Sequence, residues 1–174
     1  LTPLEGLVMG TRSGDIDPGA LLHLMRAGLS VDELDQLLNK QSGLFGLAGS
    51  NDMRDIRAGV EVGDTKSQLA LDVYARRVKH YVGAYLALLG GADAIVFTAG
   101  VGENSSLLRA RVCADLEWLG IELDPERNNA IERGARVIST AGSRVAILVV
   151  PTDEETEIAS QTLELIEKRA RDTA

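Results

Sequence analysis

The chain has 174 residues, 45% of them apolar and 25% charged, and a net charge of −8. It is long enough to bury a sizeable single core, and its acidity argues against a nucleic-acid or anionic-membrane partner. Cys113 is the only cysteine, so no internal disulfide can form and a reducing, cytoplasmic compartment is expected; no stretch reads as a membrane span or a signal peptide.

The opening at Leu1, without an initiator Met, is what a chain beginning part-way through a longer protein would show. Leu4 to Thr11 (LEGLVMGT) reads as a strand, and Arg12-Ser13-Gly14-Asp15 as the polar turn after it. Asp17 can cap a first helix with Pro18 at its first position, closed by Gly28. Ser30 and Glu33 form a capping box for a second helix, which ends near Gly43 and has Val31, Leu34, Leu37 and Leu38 at helical spacing. Residues 43–50 (GLFGLAGS) read as a glycine-rich apolar loop. Residues 51–54 start a short helical piece that Gly59 and Gly63 break.

A long helix is predicted from Thr65 to Leu89. Leu71, Tyr74, Val78, Tyr81, Val82 and Tyr85 form its buried stripe, and Asp72, Arg76, Lys79 and His80 its wet face, with Asp72 and Arg76 spaced to pair. Ala92 to Ser105 (ADAIVFTAGVGENS) follows as the stretch of most interest: a short apolar strand, a turn holding Gly100 and Gly102, then one helix running to about Leu119. Glycines let a backbone approach a ligand, and the first amides of a helix are free to meet an anion. The same residues also suit a plain strand-to-helix turn, and neither GxGxxG nor GxxxxGK[ST] is present. Asp124-Pro125 begins a short helix over 126–133. Two strands, Arg136 to Thr140 and Arg144 to Val150, are joined by Ala141-Gly142-Ser143. Thr152 and Glu155 form a capping box for a last helix with the stripe Ile158, Leu163 and Ile166. Strands and helices interleave, so the class is α/β, or α+β with part of the sheet missing.

Four motifs stand in order along the chain: MGTRSGDIDPG (Met9 to Gly19), SGLFGLAGSNDMR (Ser42 to Arg54), FTAGVGENS (Phe97 to Ser105) and VPTDEE (Val150 to Glu155). In sequence and spacing they resemble the second half of the acetate kinases. That resemblance implies an α/β, ribonuclease H-like (actin-like ATPase) domain, a mixed sheet flanked by helices. Residues 1–174 would be the C-terminal nucleotide-binding and dimerisation domain of a two-domain kinase. The activity implied is reversible phosphorylation of acetate by ATP with Mg²⁺, giving acetyl phosphate and ADP, in a homodimer whose other domain is this chain's own N-terminal half.

Residue by residue, the resemblance gives Arg12 the role of stabilising the phosphoryl group in transfer. It gives Asp52, Met53 and Arg54, together with Gly100, Val101, Gly102, Glu103 and Asn104, the nucleotide, and it gives Glu154 the Mg²⁺. Read as residues alone, Arg12 is rather an ordinary surface arginine, Asp52 a helix cap, and Glu154 a first-turn acid that a helix N-terminus favours. Asp15 and Asp17 are left out of the site, and His23, His80 and Cys113 read as structural or solvated. The family's substrate-binding arginine, catalytic aspartate, catalytic histidine and first phosphate hairpin have no counterpart in this sequence, so the chain alone is expected to be inactive or nearly so. The alternatives are a sister propionate or butyrate kinase and a non-catalytic nucleotide-binding or dimerisation module. The glycine spacing disfavours a dinucleotide-binding dehydrogenase.

Overall fold

A computed structural model describes residues 2–132 and 134–172. Helices α1 (Pro18–Arg26) and α2 (Val31–Lys40) come first, followed by α3 (Gly43–Ala48), α4 (Met53–Glu61) and the long α5 (Thr65–Leu89). Strand β1 (Ala94–Phe97) leads into α6 (Ala99–Asn104) and α7 (Ser106–Cys113). A 3₁₀ turn (Glu117–Leu119), α8 (Pro125–Asn129), β2 (Arg136–Val137), β3 (Ala146–Val149) and α9 (Glu154–Asp172) complete the described chain.

The caps predicted at Asp17 and Ser30 are present, and Asp64 supplies one that was not foreseen. Asp17 accepts from the Gly19 amide, Ser30 and Glu33 close their box, and Asp64 receives the Ser67 amide at the start of α5. The long helix ends where Gly90 takes a left-handed conformation. Ala70, Leu71 and Ala75 of α5 are buried in one core with Leu44 of α3, Ile56 of α4 and Leu108 and Val112 of α7. The predicted stripe bends away from that core: Leu71 is buried, Tyr74, Val78, Tyr81 and Val82 are half-buried, and Tyr85 is exposed. Asp72 pairs with Arg111 of α7 rather than with Arg76, and Lys79 donates to the Ala114 carbonyl, so the wet face of α5 ties it to α7. The sheet is mixed, in the order β1-β3-β2. β1 runs parallel to β3 with Phe97 opposite Val149, and β2 runs antiparallel to β3.

Several expectations are corrected. Residues 4–11 form turns and bends, not a strand, and 43–50 is largely the helix α3, not a loop. These two departures have one cause. The Met9 and Gly10 carbonyls accept from the Leu44 and Phe45 amides, and the Thr11 carbonyl accepts from Ser42. The carbonyls that a strand would give to a neighbour are thus used to satisfy the free amides at the start of α3. Gly59 lies inside α4 without breaking it, and the helix after Asp124 spans 125–129, with residue 133 outside the described residues. The single helix expected up to Leu119 is two, broken at Ser105, whose hydroxyl caps α7. Asp153, not Thr152, receives the amide at the start of α9, from Thr156. The α9 stripe is exposed, Ile158 at 64%, Leu163 at 58% and Ile166 at 61%.

The Arg12 loop and α3 meet at Gly43, whose φ is +63 and whose missing Cβ would fall onto the Met9 and Arg12 carbonyl oxygens. Gly43→Ala is therefore expected to cost about 2 kcal/mol or more. The cost would be read as a lower urea midpoint at unchanged slope.

Candidate functional site

β1 ends at Phe97, and the chain turns sharply into α6. The turn is made by Ala99, with φ +58, and not by a glycine. That conformation costs an L-residue roughly 1–2 kcal/mol, and the Ala99 amide is held there by donating to Thr152 Oγ at 2.9 Å. Gly100 and Gly102 lie within α6 and outside the left-handed region, so their value is the side chain they lack. A Cβ on Gly102 would sit 3.3 Å from the Phe97 carbonyl carbon, so this glycine lets α6 lie against the end of β1. A Cβ on Gly100 would meet nothing within 4 Å; that face of the helix is open.

The open face looks into a cavity of ≈ 780 Å³. Gly100, Val101 and Asn104 line it from α6, and Asp52, Met53 and Arg54 line it from the start of α4. Two segments far apart in sequence, each singled out beforehand, are thus walls of one space. Asp52 caps α4 through the Arg54 amide at 2.8 Å. Its carboxylate also takes the Arg54 guanidinium, Nη2 to Oδ2 at 2.5 Å and Nε to Oδ1 at 3.0 Å. These hydrogen bonds hold its pKa down to about 2. The Arg54 side chain is 91% exposed, so the pair lies at the cavity rim, where ion pairs add little stability. Asn51, Arg57 and Ser105 also line the cavity and were not foreseen. Arg57 was within reach of sequence reasoning, since it follows Arg54 by three positions on one helix face.

A second, shallower space of ≈ 400 Å³ lies on the other side of Gly100, lined by Glu103, Thr152, Asp153 and Glu154 among others. Glu103 does not present its carboxylate to the larger cavity. Its Oε1 accepts from the Thr152 amide at 2.9 Å and the Thr152 hydroxyl at 3.1 Å, and Thr152 Oγ lies 2.8 Å from Thr98 Oγ. The α6 turn is therefore clasped to the segment that carries Glu154, the exposed first residue of α9. No cluster of three metal-ligating side chains occurs among the described residues.

Arg12 is half-buried, lines neither space, and its side chain has no hydrogen-bond or ion-pair partner among the described residues. Its loop is anchored by Asp15, which accepts from the Tyr81 hydroxyl at 2.6 Å and the Gly6 amide at 2.6 Å, with Arg77 Nη1 at 3.7 Å. Those contacts, the Tyr81 hydroxyl foremost, hold the Asp15 carboxyl below its ordinary range. Asp15 thus works on the position of the Arg12 loop. His23 and His80 are exposed and line none of these spaces, and burial pushes the Cys113 thiol up to about 12, as an inert core residue requires.

The mixed sheet with helices packed around it, and an open cavity at the end of β1, have the actin-like, ribonuclease H-like fold of the acetate kinases. The crystal structure of Porphyromonas gingivalis acetate kinase superposes with a TM-score of 0.88 at 48% identity, covering 95% of this chain and 42% of that one. A propionate kinase from Francisella tularensis subsp. tularensis SCHU S4 superposes at 0.82 with 41% identity, over 88% of this chain and 39% of that one. The pattern of the Acetokinase family matches residues 1–160, and the chain belongs to that family. An acetate kinase of Leifsonia xyli subsp. xyli is 64% identical over 167 residues, which is 95% of this chain but 42% of the relative. The chain thus spans about two fifths of the length of the relatives it matches. No helix among the described residues is long and apolar enough to cross a membrane.

Because the Asp15 pKa is lowered by folding, its contribution to stability is present above the ordinary value of 3.8 and is lost as pH falls through the lowered one. Tyr81→Phe removes the largest cause. Urea midpoints measured against pH should show a lower plateau at neutral pH and a smaller further drop in acid than the parent chain.

Proposed function

We propose that the chain is the C-terminal, nucleotide-binding domain of an acetate kinase, which phosphorylates acetate with ATP to acetyl phosphate and ADP, reversibly. The observation that carries this reading is the meeting of Asp52-Met53-Arg54 with Gly100, Val101 and Asn104 around one open cavity. The chemistry of those walls suits a nucleoside. A carboxylate accepts from ribose hydroxyls, a thioether packs on a base, a guanidinium lies along a base or reaches phosphate, and the bare Gly100 leaves room for a flat ring. Phosphates leaving this cavity past Gly100 would meet the Glu154 side, where one carboxylate suits a Mg²⁺ that keeps its waters and takes its other oxygens from the nucleotide. Bound there, Mg²⁺ would neutralise charge on the phosphates. Arg12, a guanidinium with no anionic partner among the described residues, would stabilise the phosphoryl group during in-line transfer.

The acceptor, and the residues that bind and activate it, belong on this reading to the N-terminal domain. The cavity offers one wall of a two-domain site, so the chain alone should show little or no turnover. Exposed apolar side chains on α9, with Leu88 at 80% and Leu89 at 74% exposed at the end of α5, fit contacts to that domain and to a second subunit in a homodimer. A propionate kinase is favoured as the second reading by the Francisella structure alone.

Calorimetric titration with Mg-ADP and Mg-ATP tests the site. Gly100→Val, placed where nothing lies within 4 Å, should abolish binding at unchanged melting temperature. Asp52→Asn keeps a helix cap but loses the charge, and should weaken binding about tenfold, the worth of one charge-assisted hydrogen bond. Unaltered affinity in both variants would refute the assignment, and full acetate kinase turnover from this chain alone would refute the division between domains.

A further inference from the structure

Arg109, on α7, is 2% exposed, yet has no carboxylate partner among the described residues. Four neutral acceptors surround its guanidinium. Nη1 donates to the Gly102 and Glu103 carbonyls, each at 2.8 Å. Nε donates to Asn128 Oδ1 at 2.8 Å and Nη2 to the Asn128 carbonyl at 2.9 Å. Asn128, also 2% exposed, returns a bond from Nδ2 to the Ser106 carbonyl at 2.9 Å. Burial, with Arg136 nearby, lowers the pKa of Arg109. A desolvated cation is a costly way to fill space. What a guanidinium supplies that an apolar side chain cannot is several donors fixed in one plane.

The acceptors explain the need. α6 is only six residues long and is broken from α7 at Ser105. Its last carbonyls have no helical amides to receive, and they carry the negative end of the helix dipole. Arg109 reaches back across the break, satisfies two of them and ties them to α8. Glu103 is thereby gripped at both ends, its carbonyl by Arg109 and its carboxylate by Thr152.

We propose that Arg109 is a positioning residue for the nucleotide wall. By fastening the Gly102 and Glu103 carbonyls to Asn128, it fixes α6 so that Gly100, Val101 and Asn104 face the cavity while Glu103 holds the Glu154 segment. The functional half of this inference rests on the nucleotide reading above; the brace itself does not.

Amide hydrogen exchange and calorimetry separate the two. In Arg109→Lys, whose single ammonium cannot meet four acceptors, exchange at residues 101–105 should rise about tenfold or more, with α4 and α5 unchanged. Mg-ADP affinity should fall by a similar factor, since a misplaced wall costs on that order. A rise spread evenly over α4, α5 and α7, or no rise at 101–105, overturns the brace. Raised exchange with full affinity overturns the positioning role. Should Arg109→Lys not fold, the parent chain decides: amides 103–105 should open together with α7 at one urea dependence, and independent fraying of α6 overturns the proposal. If the parent chain binds no nucleotide while that exchange pattern holds, the brace is supported and the nucleotide reading falls, taking the positioning role with it.

Discussion

The site depends on one pairing. β1 and β3 run parallel with Phe97 opposite Val149, so both strands end on the same edge of the sheet. An antiparallel register would send the two exits to opposite edges. Parallel register brings the turn at 98–104 beside the segment 150–154, and the Glu103–Thr152–Thr98 clasp forms because of it. This is the general logic by which open α/β sheets place ligands beyond the carboxyl ends of their strands. β2, antiparallel on the far side of β3, completes the sheet without disturbing that edge.

Around that edge, local costs are offset by contacts drawn from distant segments. Ala99 holds a left-handed conformation because Thr152 receives its amide. Arg109 is buried without a counter-ion among the described residues, and four carbonyl oxygens converge on it instead. Asp52 is both helix cap and partner of Arg54, so one carboxylate orders the other wall of the cavity.

Local signals were legible where their cause was local. The Ser30–Glu33 box, the Asp17-Pro18 start and the Thr65–Leu89 helix depend on residues within a few positions, and they appear as the spacing implies. The strand at 4–11 and the loop at 43–50 were misread together, because each segment's backbone bonds are completed by the other. The segments that line the cavity were legible as motifs, but how they are built was not. The glycines were expected to form the turn and to let the backbone approach a ligand, whereas Ala99 makes the turn and the glycines remove side chains from a packed face and an open one. Thr152 looked like a cap because capping residues fit its spacing, and nothing nearby in sequence indicated that Glu103 would claim it. Arg109 carried no signal at all: an arginine on a short helix reads as solvated until the carbonyls around it are known.

The clasp also bears on the order in which the protein folds. Thr98 and Thr152 lie 54 positions apart, and their contact must wait until that length of chain closes on itself. Helices α3, α4 and α5 follow one another directly and can dock through short connections, well before a parallel strand pair at such separation forms. The wall built from α4 would then be in place early, and the edge shared by α6 and the Glu154 segment late. A newly made chain would pass through a stage with its helical layer assembled and the C-terminal edge of its sheet still open.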